Sequence, residues 1–212
     1  MKKPLVKIAI LSSLVISISA ANAAVPTAEL KVVGTVTVPS CTVVSPDAGV
    51  YDMGKLSSSL IKPGNAVTAL EPINKTWTVN CDANTYLNFT PVDNRTGSSS
   101  DNSLTAFGLG KVNETGKIGY YTVQIWNATV DGKKSNVFTS ASASFSPVAN
   151  AYLATGLRTG WAAGASTQSA GKVFVADLIV TPVLAGTSAM NGAITEDAKI
   201  DGSLTMRFAF GI

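Results

Sequence analysis

Residues 201–212 read DGSLTMRFAFGI. Leu204, Met206, Phe208, Phe210 and Ile212 alternate without interruption with Ser203, Thr205, Arg207, Ala209 and Gly211. A two-residue period sends one side-chain set to each face of a β-strand, so the stretch predicts a strand with one buried face. The same period recurs along the chain. In ELKVVGTVTV (29–38), Leu30, Val32, Gly34, Val36 and Val38 share a face, opposite Glu29, Lys31, Thr35 and Thr37. KTWTVNC (75–81), TYLNFTPV (85–92), GYYTVQIWNATV (119–130) and KVFVADLIVTPV (172–183) are rich in β-branched and aromatic residues, as strands are. Turn-forming tracts separate them: SPDAG, DNRTGSSSDNS, NETGK and VDGKK. No stretch sustains a helical period, and VANAYLATGL (148–157) has room for one short helix at best. Short strands with frequent turns predict an all-β, antiparallel sandwich.

The first residues read as a leader rather than as part of the fold. Lys2, Lys3 and Lys7 precede the apolar run IAILSSLVISISA, and Ala21-Asn22-Ala23 supplies a small-x-small cleavage signal. The run is short for a membrane span, and four serines interrupt it. A secretory signal over residues 1–23 is therefore expected, with the mature chain starting at Ala24 and exported. The leader holds three lysines, so 13 basic residues remain against 13 acidic ones. An overall neutral chain without a basic cluster argues against nucleic acid as a partner.

Cys41 and Cys81 are the two cysteines. In an exported chain an even pair reads as one disulfide. A free thiol or half of a metal site is the competing reading, disfavoured by the absence of His and of CxxC spacing.

Candidate chemistry is sparse. Without His the usual general base and the commonest metal ligand are missing, so neither an enzyme nor a cofactor is expected. FGLGKVNETG (107–116) lacks the spacing of a phosphate loop and reads as a turn. Asp47 and Asp52, and Glu196, Asp197 and Asp201, lie in turn-like sequence where Asp caps backbone N–H groups. Trp77, Trp126 and Trp161 are the candidates for a sugar platform, but Trp77 and Trp126 fall within strand patterns and read as core.

Several of these stretches, in order, resemble the subunits of chaperone–usher fimbriae. VVGTVTVPSCTVV (32–44) is similar to the start of a pilin, where a Gly-containing alternating strand leads to a Cys. YDMGKLSSSLIKPGNAVTALEPINKTWTVNC (51–81) resembles the pilin segment in which a Gly and an apolar residue, here Gly54 and Leu56, precede a polar loop and a strand into the second Cys. GYYTVQIWNATVDGKK resembles a pilin strand followed by an x-D-G turn, and the last strand resembles the pilin terminal strand, with Gly211 where an aromatic is usual. Residues 139–171 carry no part of the resemblance.

The resemblance implies an incomplete immunoglobulin-like antiparallel β-sandwich that lacks its final strand, spanning residues 37–212, with a Cys41–Cys81 disulfide between its first two strands. It implies a donor-strand extension over residues 24–36, with Ala28, Leu30 and Val32 entering a neighbour's groove and Gly34 in the same strand. A periplasmic pilus chaperone would pair with the strand Leu204, Met206, Phe208, Phe210 and Ile212. An outer-membrane usher would then exchange the chaperone for another pilin subunit, by strand addition to a sheet edge. The implied role is a structural subunit of a surface fimbrium contributing to cell adhesion. A self-contained exported β-sandwich that binds a ligand or carbohydrate is the alternative.

Overall fold

A computed structural model describes residues 26–211. The expected leader, the start at Ala24 and the side chain of Ile212 lie outside the described residues. Two compact units divide at Thr37/Val38. In the first, residues 26–37 form no helix or strand, and Leu30 and Val32 are 84% and 89% exposed. The alternation of 29–38 is thus not expressed as a strand. Alternation defines two faces, but a strand also needs a partner for its N–H and C=O groups.

The second unit is an antiparallel sandwich curled into a half-barrel. Its strands of four residues or more are β1 (Cys41–Val44), β2 (Ile73–Asp93), β3 (Gly119–Val130), β4 (Asn136–Ser140), β5 (Arg158–Gly164), β6 (Ala170–Leu184) and β7 (Leu204–Phe210). One sheet has the order β1-β2-β6-β3, and the other the order β7-β2-β5-β4. The 21-residue β2 belongs to both. Its first half pairs with β1 and β6, and its second half pairs with β7 and β5. The two strands expected at 75–81 and 85–92 are therefore one strand, which carries the chain from sheet to sheet. The pairing of β6 with β2 shifts between Gly171 and Val173, where the long strand crosses over. Such irregularities bend a strand and raise its twist.

Cys41 stands opposite Cys81 in the β1–β2 register, and the two form a disulfide with Cα atoms 4.0 Å apart. The core between the sheets is aromatic. Trp161 meets Phe174 edge-on at 5.2 Å and Phe89 at 6.5 Å, and its indole N–H donates to the Val175 carbonyl at 3.1 Å. A buried Trp retains a partner for its one polar group in this way. Gly160 lets β5 lie against Phe138 and β2, since a Cβ there would come within 2.8 Å of the Phe138 ring.

Three local expectations change. Residues 148–157 hold the two-residue strand Ala151–Tyr152 and a turn in place of a helix, because β3 offers an edge that Ala151 and Tyr152 join. Residues 139–171 supply β5 with its buried Trp161, and Phe145, which stacks on Phe138 at 3.9 Å. Of the two tryptophans read as core, Trp77 is half-buried, whereas Trp126 is 42% exposed. The alternation itself is the cause, since Tyr121, Val123 and Ile125 face the core and Trp126 therefore faces out, and a bulge follows it. Val175 faces Thr129 and Asp177 faces Trp126, so β3 has an extra residue, and Asn127 takes the left-handed conformation with φ 48°. Trp126 and Asn127 both turn outward while Ile125 and Ala128 stay buried.

Candidate functional site

The final strand β7 has one satisfied edge. It pairs with β2 from Leu204↔Asp93 to Phe210↔Leu87. Among the described residues no strand pairs with its other edge. Leu204, Met206 and Phe208 point inward and are half-buried, with the Phe208 ring 5.4 Å from Phe89. Phe210 departs from the expected buried face. It is exposed, because β7 outruns the core there and Phe210 lies opposite Leu87 near the strand's end.

Beside β7 opens a cleft of about 1020 Å³. Its floor is apolar and built from buried residues of the core, including Ile118, Val123, Leu153, Leu178 and Leu184. Residues 194–206 form one wall and residues 49–58 the other. Natural interiors close over voids far smaller than this, so the cleft marks an unfilled place in the sandwich.

The 49–58 wall is extended and belongs to no strand over residues 50–57. Side chains hold it instead. Lys75 pairs with Asp47 and donates to the Val50 carbonyl. Asp52 accepts from the Gly54 N–H at 2.8 Å, and Gly54 sits at φ 62°, a turn conformation that costs glycine nothing. The Trp77 indole donates to the Tyr51 hydroxyl at 3.0 Å, and that hydroxyl donates to the Leu178 carbonyl at 3.0 Å. Burial pushes the Tyr51 phenol above its ordinary value, beyond what the Trp77 hydrogen bond offsets, so it stays protonated in this relay. Met53 and Leu56 pack toward the core from the same wall. Asp201, on the other wall, pairs with Arg95 at 2.7 Å. Asp52 caps a backbone N–H as its turn-like sequence suggests, whereas Asp47 and Asp201 anchor loops through ion pairs. FGLGKVNETG folds as the tight strand pair Lys111–Val112 and Gly116–Lys117.

The far end of β7 is held by buried amides. Asn88 and Gln168 both donate to the Gly211 carbonyl, at 3.3 and 3.4 Å. No feature of the sequence marked either residue, since each is buried by a strand distant in the chain.

One wall ends in β7, whose second edge is unpaired among the described residues, the other wall has no strand over residues 50–57, and the floor between them is apolar. Of the five expected chaperone contacts, Leu204, Met206, Phe208 and Phe210 lie on one strand, with Leu204 and Met206 lining the cleft, and Ile212 lies outside the described residues. Ala28, Leu30, Val32 and Gly34 lie in the first unit, without a strand assignment. Sequence reasoning did not find the floor, which is assembled from β3, β6 and the segments at Ile118 and Leu153, with Ile118 and Leu184 far apart in the chain. Among the described residues no group of His, Cys, Asp and Glu is placed to hold a metal ion. No curated protein matches the chain. Residues 30–105, less than half of it, are similar to a family described as "Protein of unknown function (DUF1120)", a stretch that includes both cysteines, the 49–58 wall and β2.

Proposed function

We propose that the protein is an exported structural subunit of a surface fimbria, polymerising by donor-strand exchange and contributing to cell adhesion. One observation carries the reading: an apolar cleft with the unpaired edge of β7 on one side and the strandless residues 50–57 on the other. An inserted strand gains main-chain hydrogen bonds along β7, and its alternate side chains enter the floor. The segment 28–34 has the required alternation and is exposed. Burial of Leu30 and Val32 is worth about 1.5–3 kcal/mol each, which favours a donor of this composition. In this reading a periplasmic chaperone fills the cleft first, an outer-membrane usher mediates the exchange, and another subunit supplies the final strand. The Cys41–Cys81 disulfide, which suits an oxidising compartment, is consistent with passage through the periplasm.

The test is to express the full chain, and a chain lacking residues 24–33, beside the cognate chaperone and usher. The full chain should give a ladder of polymers that resists detergent until heated, and the truncated chain none. A ladder from the truncated chain defeats the proposal. A stable monomer of the full chain in size-exclusion chromatography, free of chaperone, would favour the self-contained binding sandwich.

A further inference from the structure

The outer face of the β1-β2-β6-β3 sheet carries a second arrangement, independent of the cleft. Trp126 on β3, Asp177 on β6 and Thr76 on β2 lie in one cross-strand row. The Thr76 hydroxyl donates to Asp177 Oδ1 at 2.5 Å, and the Asn127 amide donates to Asp177 Oδ2 at 2.8 Å. The next row on the same face holds Gln124, whose amide donates to Asn150 at 3.0 Å, and the exposed Tyr152.

Single exposed apolar residues are ordinary and need no function. Three features set this one apart. The bulge at Asn127 costs left-handed backbone at a non-glycine residue, and its effect is to turn Asn127 out beside Trp126, on the face where alternation already puts the indole. The same bulge brings the Asn127 amide onto Asp177. The carboxylate, in turn, has no ion-pair partner among the described residues. Partial burial raises its pKa, but hydrogen bonds from Thr76, Asn127 and Asn74 outweigh this and hold it below the usual carboxylate value.

We propose that this face, centred on Trp126 and Asp177, binds a neutral hexopyranose, with the indole stacked on the sugar's apolar face and Asp177 and Asn127 bonding its hydroxyls. Each sugar hydroxyl both donates and accepts, which suits a mixed set of carboxylate, amide and hydroxyl groups. A cationic ligand would leave the amide and hydroxyl donors unused, and one ring is not the aromatic cage that quaternary ammonium groups use. An acidic sugar would meet an ionised carboxylate without a neutralising cation.

The full chain, made in a bacterial periplasm so that Asn74 and Asn127 (both in N-x-T sequences) carry no glycan, is titrated with methyl glucoside, galactoside and mannoside and with N-acetylneuraminate. Tryptophan emission is followed to concentrations on the order of 10 mM, the range of weak single-sugar binding. At least one hexoside should shift the emission, Trp126→Ala should abolish its binding, and Asn127→Gly should weaken it about tenfold. Glycine keeps the left-handed bulge, so the second variant removes the amide without refolding the strand. The proposal is overturned if no hexoside binds, if Trp126→Ala binds as the parent does, or if N-acetylneuraminate binds more tightly than every hexoside. Polymerisation is not read in this assay, so its outcome is separate from that of strand exchange.

Discussion

The indole N–H of Trp77 donates to the Tyr51 hydroxyl at 3.0 Å, and this contact ties one wall of the cleft to its sheet. The hydroxyl in turn donates a hydrogen bond to the Leu178 carbonyl on β6. Tyr51→Phe leaves the half-buried indole without its acceptor and should cost about 1–2 kcal/mol in chemical denaturation. Trp77→Phe removes the other partner together with ring contacts and should cost more. The double variant should cost less than the sum of the two, because the second change removes an interaction already lost. Strict additivity would mean that the relay does not hold the wall.

The disulfide closes a loop with a sequence separation of 40 and secures a four-residue strand that has few other ties. In the chain-entropy model a loop of this size is worth about 4 kcal/mol. Cys41→Ser/Cys81→Ser should lower the denaturant midpoint accordingly, with the parent falling to the same value in reductant. An unchanged midpoint under reduction would show that β1 is held by pairing alone.

Leu30 and Val32 are exposed in the first unit, so Leu30→Asp and Val32→Asp should leave folding of the sandwich within about 0.5 kcal/mol of the parent. Under the strand-exchange reading the same variants should abolish detergent-resistant polymer, while Lys31→Ser, on the opposite face, should not. Equal polymer yields from all three would remove Leu30 and Val32 from the interface.

Asp131 reports on acid stability. Its carboxylate accepts from the Val173 N–H at 2.8 Å and the Lys172 N–H at 2.9 Å, locking the β3 turn onto β6. The Val173 bond, then the Lys172 bond, hold its pKa below the ordinary carboxylate value despite a small opposing contribution from desolvation. A depressed folded value means that the stabilisation is complete above the unfolded pKa, about 3.9, and is lost as pH falls through the folded value. Asp131→Asn should therefore flatten the acid limb of the stability–pH curve measured by thermal unfolding. An acid limb of the same steepness in the variant would assign the acid response to other carboxylates.

Much of the fold is legible in period-two patterning. The stretch GYYTVQIWNATV coincides with β3, and LTMRFAF coincides with β7. Local alternation suffices there because each strand has one face on the core, so burial acts on every second residue. The cysteine pair is readable from the sequence as well, since two thiols in a chain without His or CxxC spacing have few fates besides a disulfide. Alternation could not reveal where a partner is missing. Residues 29–38 alternate too, with Val33 the exception, yet they form no strand, because strand identity depends on a hydrogen-bonding edge supplied by other residues. The cleft floor joins Ile118, Leu153 and Leu184, which no window of sequence contains together. Asn127 shows the limit most sharply. The period set by Val123 and Ile125 puts Trp126 outside and Asn127 inside, and one extra residue at Asn127, bonded to Asp177, turns Asn127 to the surface as well. Sequence alone determined the all-β class, the strands at 119–130 and 204–210, and that two cysteines stand ready to join. Tertiary structure decided whether 29–38 becomes a strand, which edge and which floor stay open and where Asn127 breaks the alternation, because those depend on pairing and register between strands far apart in the chain.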